Sequence, residues 1–205
     1  IREVEKDPRI HLTTQATIEK IDGFVGNFKT QVRNGNKIKE LSHGVIVVAT
    51  GAEEYRPKEF LYGQDPRVIA QKELEERITL YPKSLRDLKN VVMIQCVGSR
   101  NGDRPYCSRI CCSEAIKNAL RLKTMAPDLN VYVLYRDIRT YGFNEDYYEK
   151  AREEGIVFIR YEPEREPKLE RDEDGLQVVV YEPILRDDLL IHTDLLVLSP
   201  GIVPG

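Results

Sequence analysis

The four cysteines of this 205-residue chain, Cys96, Cys107, Cys111 and Cys112, lie within a single loop-sized stretch, and no other feature narrows the fold as much. Upstream, Val91-Val92-Met93-Ile94-Gln95 is an apolar, β-branched run that reads as a buried strand. Downstream, residues 113–125 read as a helix. In a Rossmann unit such a strand-to-helix crossing carries G-x-G-x-x-G and holds a pyrophosphate on the helix N-terminus. Here Gly98 and Gly102 are the only glycines in the loop, at the wrong spacing, and thiols stand in place of the fingerprint.

Several uses of four thiols compete on spacing. Zinc sites take two short-spaced pairs, and adjacent ligands such as Cys111-Cys112 suit that geometry badly. Dithiol exchange calls for C-x-x-C, which is absent. An iron–sulfur cluster takes four thiolates at irregular spacing and accepts neighbours as ligands. With its thiolates it is anionic, so a helix N-terminus and the nearby Arg100, Arg104 and Arg109 favour it electrostatically. The spacing favours the cluster; zinc, a disulfide and free thiols stay open.

Charge is high but balanced, with 31 basic against 34 acidic residues, which gives no electrostatic case for a nucleic-acid partner. No apolar run has the length of a membrane span and no signal-peptide pattern is present. Clustered cysteines without secretory context favour a reducing compartment, so a cytoplasmic location is expected. Ile1-Arg2-Glu3-Val4 lacks an initiator Met and runs on towards a strand, and Pro204-Gly205 follows another, as in a piece of a longer protein.

From the start, residues 9–14, 16–21 and 28–33 read as strands of a meander, with turns at Asp22-Gly23 and Asn34-Gly35-Asn36. Residues 44–52 form an apolar run ending in Ala49-Thr50-Gly51, expected as a strand buried on both faces that delivers its backbone closely to a ligand. Meander followed by apolar strand and Ala-Thr-Gly resembles the closing part of the FAD domain in the two-dinucleotide-binding flavoproteins, the thioredoxin-reductase and glutathione-reductase group. A charged connector helix at 71–78 follows, ended by Tyr81-Pro82. Thioredoxin reductases carry their C-x-x-C in this region, and this sequence has no cysteine there.

The second half continues with a strand at 130–135, a helix at 145–154 capped by Gly155, and strands at 156–161, 176–181 and 192–199. Strands alternating with helices imply a parallel sheet. The fold class expected is α/β, a Rossmann-like, three-layer ββα piece of a two-dinucleotide-binding flavoprotein. Residues 1–84 are expected to supply the meander, closing strand and connector helix of an FAD-type domain, and 85–205 an NAD(P)H-type domain carrying the cysteines. The acidic stretch 162–174 reads as a solvated loop. Arg136, Asp137 and Arg139 read as surface or cluster-edge charges, and His11, His43 and His192 as structural or exposed.

Val97-Gly98-Ser99-Arg100, the run from Pro105 through Cys107-Ser108-Arg109-Ile110-Cys111-Cys112, Asp137-Ile138-Arg139 and Tyr147-Tyr148-Glu149-Lys150 are together similar to the FAD and iron–sulfur subunit of heterodisulfide reductase. That family belongs to methanogens, with relatives in other anaerobes. The resemblance covers the chain from about Gly44 onward. It implies a [4Fe-4S] cluster on Cys96, Cys107, Cys111 and Cys112, and FAD in the full-length protein near Ala49, Thr50, Gly51 and Thr17. No catalytic residue is assigned. It further implies electron transfer, including flavin-based bifurcation, between a hydrogenase or formate dehydrogenase, ferredoxin and a disulfide acceptor. The implied partners are the other reductase subunits, with a homodimer for the full-length protein. An NAD(P)H-dependent FAD disulfide oxidoreductase domain and a zinc-stapled structural module are the alternatives.

Overall fold

The computed structural model describes residues 2–172 and 175–204, and its contacts divide into two units, Ile1–Thr50 and Gly51–Gly205. In the first unit a short helix, α1 (Arg2–Lys6), precedes three strands, β1 (Ala16–Phe24), β2 (Asn27–Asn34) and β3 (Lys37–His43). They pair antiparallel in the order β1-β2-β3. The expected meander is thus present with different members: residues 9–14 form no strand, while 37–43 do. The first turn falls at Val25-Gly26, because β1 runs on through Asp22-Gly23 to Phe24. His43 joins β3 to β2: its Nε2 lies 2.8 Å from Thr30 Oγ1 and its ring is 5.8 Å from that of Phe28.

The expected closing strand is not formed. Residues 44–52 have no regular structure, and Val45, Val47 and Val48 are 71%, 85% and 79% exposed. Composition alone does not make a strand. A β-branched run becomes one where neighbours accept its backbone hydrogen bonds, and no described strand pairs with this one.

The second unit contains β4 (Glu53–Glu54), β5 (Val68–Ala70), α2 (Gln71–Leu80), β6 (Asn90–Val97), α3 (Cys111–Met125), β7 (Asn130–Tyr135), α4 (Asn144–Glu153) and β8 (Val157–Arg160). It continues with β9 (Lys168–Asp172), β10 (Gly175–Glu182), β11 (Asp187–Thr193), β12 (Leu195–Pro200) and β13 (Ile202–Val203). A five-stranded parallel sheet has the order β5-β12-β6-β7-β8, and a three-stranded antiparallel sheet the order β11-β10-β9. Strand alternation sorts the core. Val91, Met93, Val131, Val133 and Val197 pack with Leu74, Ile78, Ala115, Ile116 and Leu122 of α2 and α3. Val92, Ile94, Leu134, Leu196 and Leu198 pack with Leu176, Val178 and Val180 of β10. The layers are antiparallel sheet, parallel sheet and helices, as the Rossmann-like ββα expectation has it.

The compact units part at Thr50/Gly51 rather than near 84. The reason is β5, which pairs with β12, and α2, which buries Leu74 and Ile78 in the same core. The run expected as one strand at 192–199 is two. Asp194 breaks it, accepting from the backbone N–H of Lys89 at 2.7 Å and Asn90 at 2.9 Å and so pinning the start of β6. Residues 168–172, expected in a solvated loop, form the edge strand β9, where charge blunts an exposed edge. Residues 173–174 of that stretch lie outside the described residues. A polar cluster sits within the core: Ser199 Oγ accepts from Gln71 Nε2 at 3.1 Å and Gln95 Nε2 at 2.8 Å, and Asn118 Nδ2 donates to Gln71 Oε1 at 3.0 Å. No described helix is long and apolar enough to cross a membrane.

Candidate metal centre

The end of β6 departs from regular strand geometry at the first cysteine. Its register with β12 holds to Ile94/Leu198, then slips to Val97/Pro200, and Cys96 between them has φ +64°. A left-handed residue at a register slip re-aims a side chain that strict alternation would place elsewhere. Gly98, also at φ +64°, takes the chain out of the strand, and a Cβ there would lie 2.1 Å from the ring of Tyr55. That ring is held from beyond by Arg104, whose guanidinium carbon is 4.2 Å from its centroid and whose Nε donates to the Gly98 carbonyl. Gly201, just after β12, approaches as closely: a Cβ there would be 2.7 Å from that of Ser99. Its N–H donates to Val97 O at 2.8 Å and its carbonyl accepts from Tyr55 N–H at 2.7 Å.

From this turn the chain loops to α3. Cys107 is in the loop, and Cys111 and Cys112 are the first two residues of the helix, which begins two positions before the helix expected at 113–125. Ile110 supplies no side-chain cap to the first-turn N–H groups of this 15-residue helix. Cys96, Cys107, Cys111 and Cys112 line one small cavity with Ser99, Arg100, Ser108, Arg109, Asp137 and Arg139. Strand end, loop and helix start are thus brought together, and none of the four cysteines is joined in a disulfide.

Each thiol faces a donor. Arg100 Nη1 is 3.9 Å from Cys96 Sγ, and Arg109 N–H is 3.4 Å from Cys107 Sγ. The Ser108 hydroxyl faces Cys111, and its oxygen accepts from Ile202 N–H at 2.7 Å. The backbone N–H of Arg139 faces Cys112. Burial still dominates: it raises the thiols of Cys96 and Cys112 and pushes Cys111 up to about 12. The thiols of Cys111 and Cys112 donate to the carbonyls of Pro200 (3.4 Å) and Asp137 (3.9 Å).

The residues after β7 close the pocket. Asp137 accepts from Arg100 Nη1 and, at 2.8 Å, from Arg139 Nε. Of the two places expected for Arg136, the surface or the cluster edge, the structure gives the second: it is buried and donates to Arg100 O at 2.8 Å and to Glu166 at 2.8 Å, while its Nε has no partner among the described residues. Arg100 and Arg109 are recognisable from the sequence as nearby charge, whereas Ser108 and the bridging role of Asp137 are not; only their position inside the shared motifs marks them.

The donor set suits a wide anionic group rather than one ion. Among the described residues no group of three or more His, Cys, Asp or Glu side chains is arranged to hold a metal ion. An iron–sulfur cluster takes one thiolate per iron, so its sulfurs stand further apart than around a single ion. Four thiols lining one cavity, each faced by a donor, are the ligand type that such a group takes. The residues expected to touch FAD are not gathered in this way. Thr17 lies exposed in β1, and Ala49, Thr50 and Gly51 lie exposed in the stretch without regular structure, Gly51 at φ +71°.

No family model matches the sequence. The chain is 36% identical over 192 residues to a subunit of the H2/formate:CoB-CoM heterodisulfide,ferredoxin reductase of Methanococcus maripaludis, covering 83% of this chain and 29% of that protein. It is 37% identical over 184 residues to the iron-sulfur subunit of the CoB–CoM heterodisulfide reductase of Methanocaldococcus jannaschii, covering 80% and 27%. The chain thus spans under a third of the length of the curated relatives it matches. Among solved structures it shares its fold with DfoA, the FAD-bound cadaverine monooxygenase of Erwinia amylovora, at TM-score 0.50 and 9% identity, covering 93% of this chain and 53% of that one. The ornithine hydroxylase PvdA of Pseudomonas aeruginosa is alike at TM-score 0.50 and 12% identity, covering 93% and 55%.

Proposed function

We propose that this chain, similar over four-fifths of its length to one segment of the heterodisulfide reductase iron–sulfur subunit, is the part of such a protein that carries an iron–sulfur cluster for electron transfer. The observation that supports it is the convergence of four thiols, Cys111 and Cys112 buried and Cys96 and Cys107 half-buried, each faced by a donor, on one cavity at a helix N-terminus. A [4Fe-4S] group bound there supplies a one-electron carrier.

The chain's own residues prepare for it. Loading requires the protons of Cys96, Cys107, Cys111 and Cys112 to leave. Burial opposes that at Cys96, Cys111 and Cys112; Arg100, Ser108 and the N–H groups of Arg109 and Arg139 favour it. The loop from Gly98 to Ile110 shields the site from water, with Tyr55 and Arg104 holding its base.

In the longer protein we place FAD against Ala49, Thr50, Gly51 and Thr17, residues 1–50 within an FAD-type domain and 51–205, from the unit boundary rather than from 85, in an NAD(P)H-type domain. The whole protein works as an oxidoreductase in a heterodisulfide-reductase-type complex. It passes electrons, with bifurcation, between a hydrogenase or formate dehydrogenase module, ferredoxin and a disulfide, as a homodimer. We place it in the cytoplasm, a reading that clustered cysteines without a disulfide support. The test is iron and sulfide content of the anaerobically reconstituted chain and of its four single Cys→Ala variants. Four irons and four sulfides in the parent, lost or converted in every variant, are expected. A variant with a full complement and an unchanged paramagnetic signal after reduction removes that cysteine from the ligand set, and stoichiometric zinc without iron removes the reading.

A further inference from the structure

We propose that Arg100, aimed by Asp137 and Arg139, is a positioning residue that sets the reduction potential of the group held by the four thiols. The inference rests on the cluster reading above. Its ground is a chain of contacts that the ligand set itself does not require. Arg100 Nη1 approaches Cys96 Sγ at 3.9 Å and also donates to Asp137 Oδ1. Asp137 is fixed on its other oxygen by Arg139 Nε at 2.8 Å. The backbone of Arg100 is fixed too: its φ is +57°, outside the region most side chains adopt, and its carbonyl accepts from the buried Arg136 at 2.8 Å. Arg136 is in turn held by Glu166. A long, mobile cation is therefore held at both ends, with its head between one ligand sulfur and one carboxylate.

Such an arrangement selects between redox states. Reduction adds one electron to an anionic group and brings no proton into the pocket. A guanidinium donating to a ligand thiolate stabilises the more negative, reduced form and raises the potential. The pocket is partly shielded from water, Arg100 being 23% exposed, so the interaction is screened less than at an open surface. Asp137 has two opposed effects: its charge lowers the potential, and its grip on Arg100 raises it. At 45% exposure its charge is the more heavily screened, so the aiming effect dominates.

The experiment is a dithionite titration, followed by the paramagnetic signal, of the anaerobically reconstituted chain and of Arg100→Gln and Asp137→Asn, each first checked for iron and sulfide. Arg100→Gln is expected to keep its iron, with the reduced-to-oxidised ratio falling about tenfold at the parent's midpoint, about 59 mV for a one-electron couple. Asp137→Asn is expected to move the midpoint downward as well. Were Asp137 only a charge, its removal would move the midpoint up. A loaded Arg100→Gln with an unchanged or higher midpoint overturns the inference and leaves the cluster reading intact. If Arg100→Gln does not hold iron, Asp137→Asn decides, an unchanged or raised midpoint overturning the inference. A parent chain that takes up no iron removes the cluster reading, and the inference with it.

Discussion

Replacing Gly98 by alanine tests whether the turn beneath the thiols is as tightly specified as its geometry says. The new methyl group meets Cδ1 and Cε1 of Tyr55 at 2.1 Å, so the ring must leave. Leaving breaks its stack with Arg104 at 4.2 Å, a contact worth about 0.5–1 kcal/mol. The backbone adds its own cost, since a non-glycine residue at φ +64° loses about 1–2 kcal/mol. The sum is about 1.5–3 kcal/mol. Gly102, four residues on in the same loop, is an internal control: a Cβ there meets nothing within 4 Å and its φ lies outside the left-handed range. Urea unfolding of the metal-free chain, followed by circular dichroism, should show Gly98→Ala destabilised by that amount and Gly102→Ala within about 0.5 kcal/mol of the parent. Equal effects at the two glycines would falsify the argument that Tyr55 packs on the turn.

The carboxyl of Asp65, 3% exposed, accepts from Arg67 N–H, Nε and Nη2 at 2.8–3.0 Å, and these hold it at about 2. A depressed carboxyl stabilises above its unfolded value near 3.8 and loses that contribution as pH falls through about 2. Asp65→Asn should therefore cost roughly 2 kcal/mol at pH 7 and progressively less below pH 4 in parallel denaturation curves, and a pH-independent difference refutes the assignment. Ser108→Ala removes the acceptor of Ile202 N–H and the hydroxyl facing Cys111 together. We expect a loss of about 1–2 kcal/mol in the metal-free chain and slower iron uptake; uptake at the parent rate rejects the second role. In a protein long enough to bind FAD, a bulky residue at Gly51 should lower flavin content, and full occupancy counts against that placement.

That the four cysteines gather at one strand-to-helix crossing was legible because the signal is local. A β-branched run, a loop rich in thiols and a helical pattern follow one another in the sequence, and the structure puts Cys96 at the end of β6 and Cys111 at the start of α3. The limits of legibility are equally physical. Residues 44–52 have strand composition without a strand, since pairing is supplied by other segments. β9 is a strand with a charged, loop-like sequence, because its edge position tolerates charge. Arg136 and Asp137 read as surface or cluster-edge charge, a choice the sequence leaves open, and in the structure one is buried while the other ties Arg100 to Arg139. Burial and bridging of this kind depend on contacts dozens of residues away in sequence, which periodicity does not report. The core amides Gln71, Gln95 and Asn118 escaped notice for the same reason.

The bare stretch after β3 has a practical side. Val45-Ile46-Val47-Val48-Ala49-Thr50 is β-branched, uncharged and free of proline, and its three valines stand open to solvent. Segments of that kind stack between molecules when their backbone groups have no partner inside the molecule. Preparations of this chain should therefore precipitate in proportion to concentration. A lysine in place of Val47 should keep it in solution without touching the thiol pocket, and so make the anaerobic work feasible.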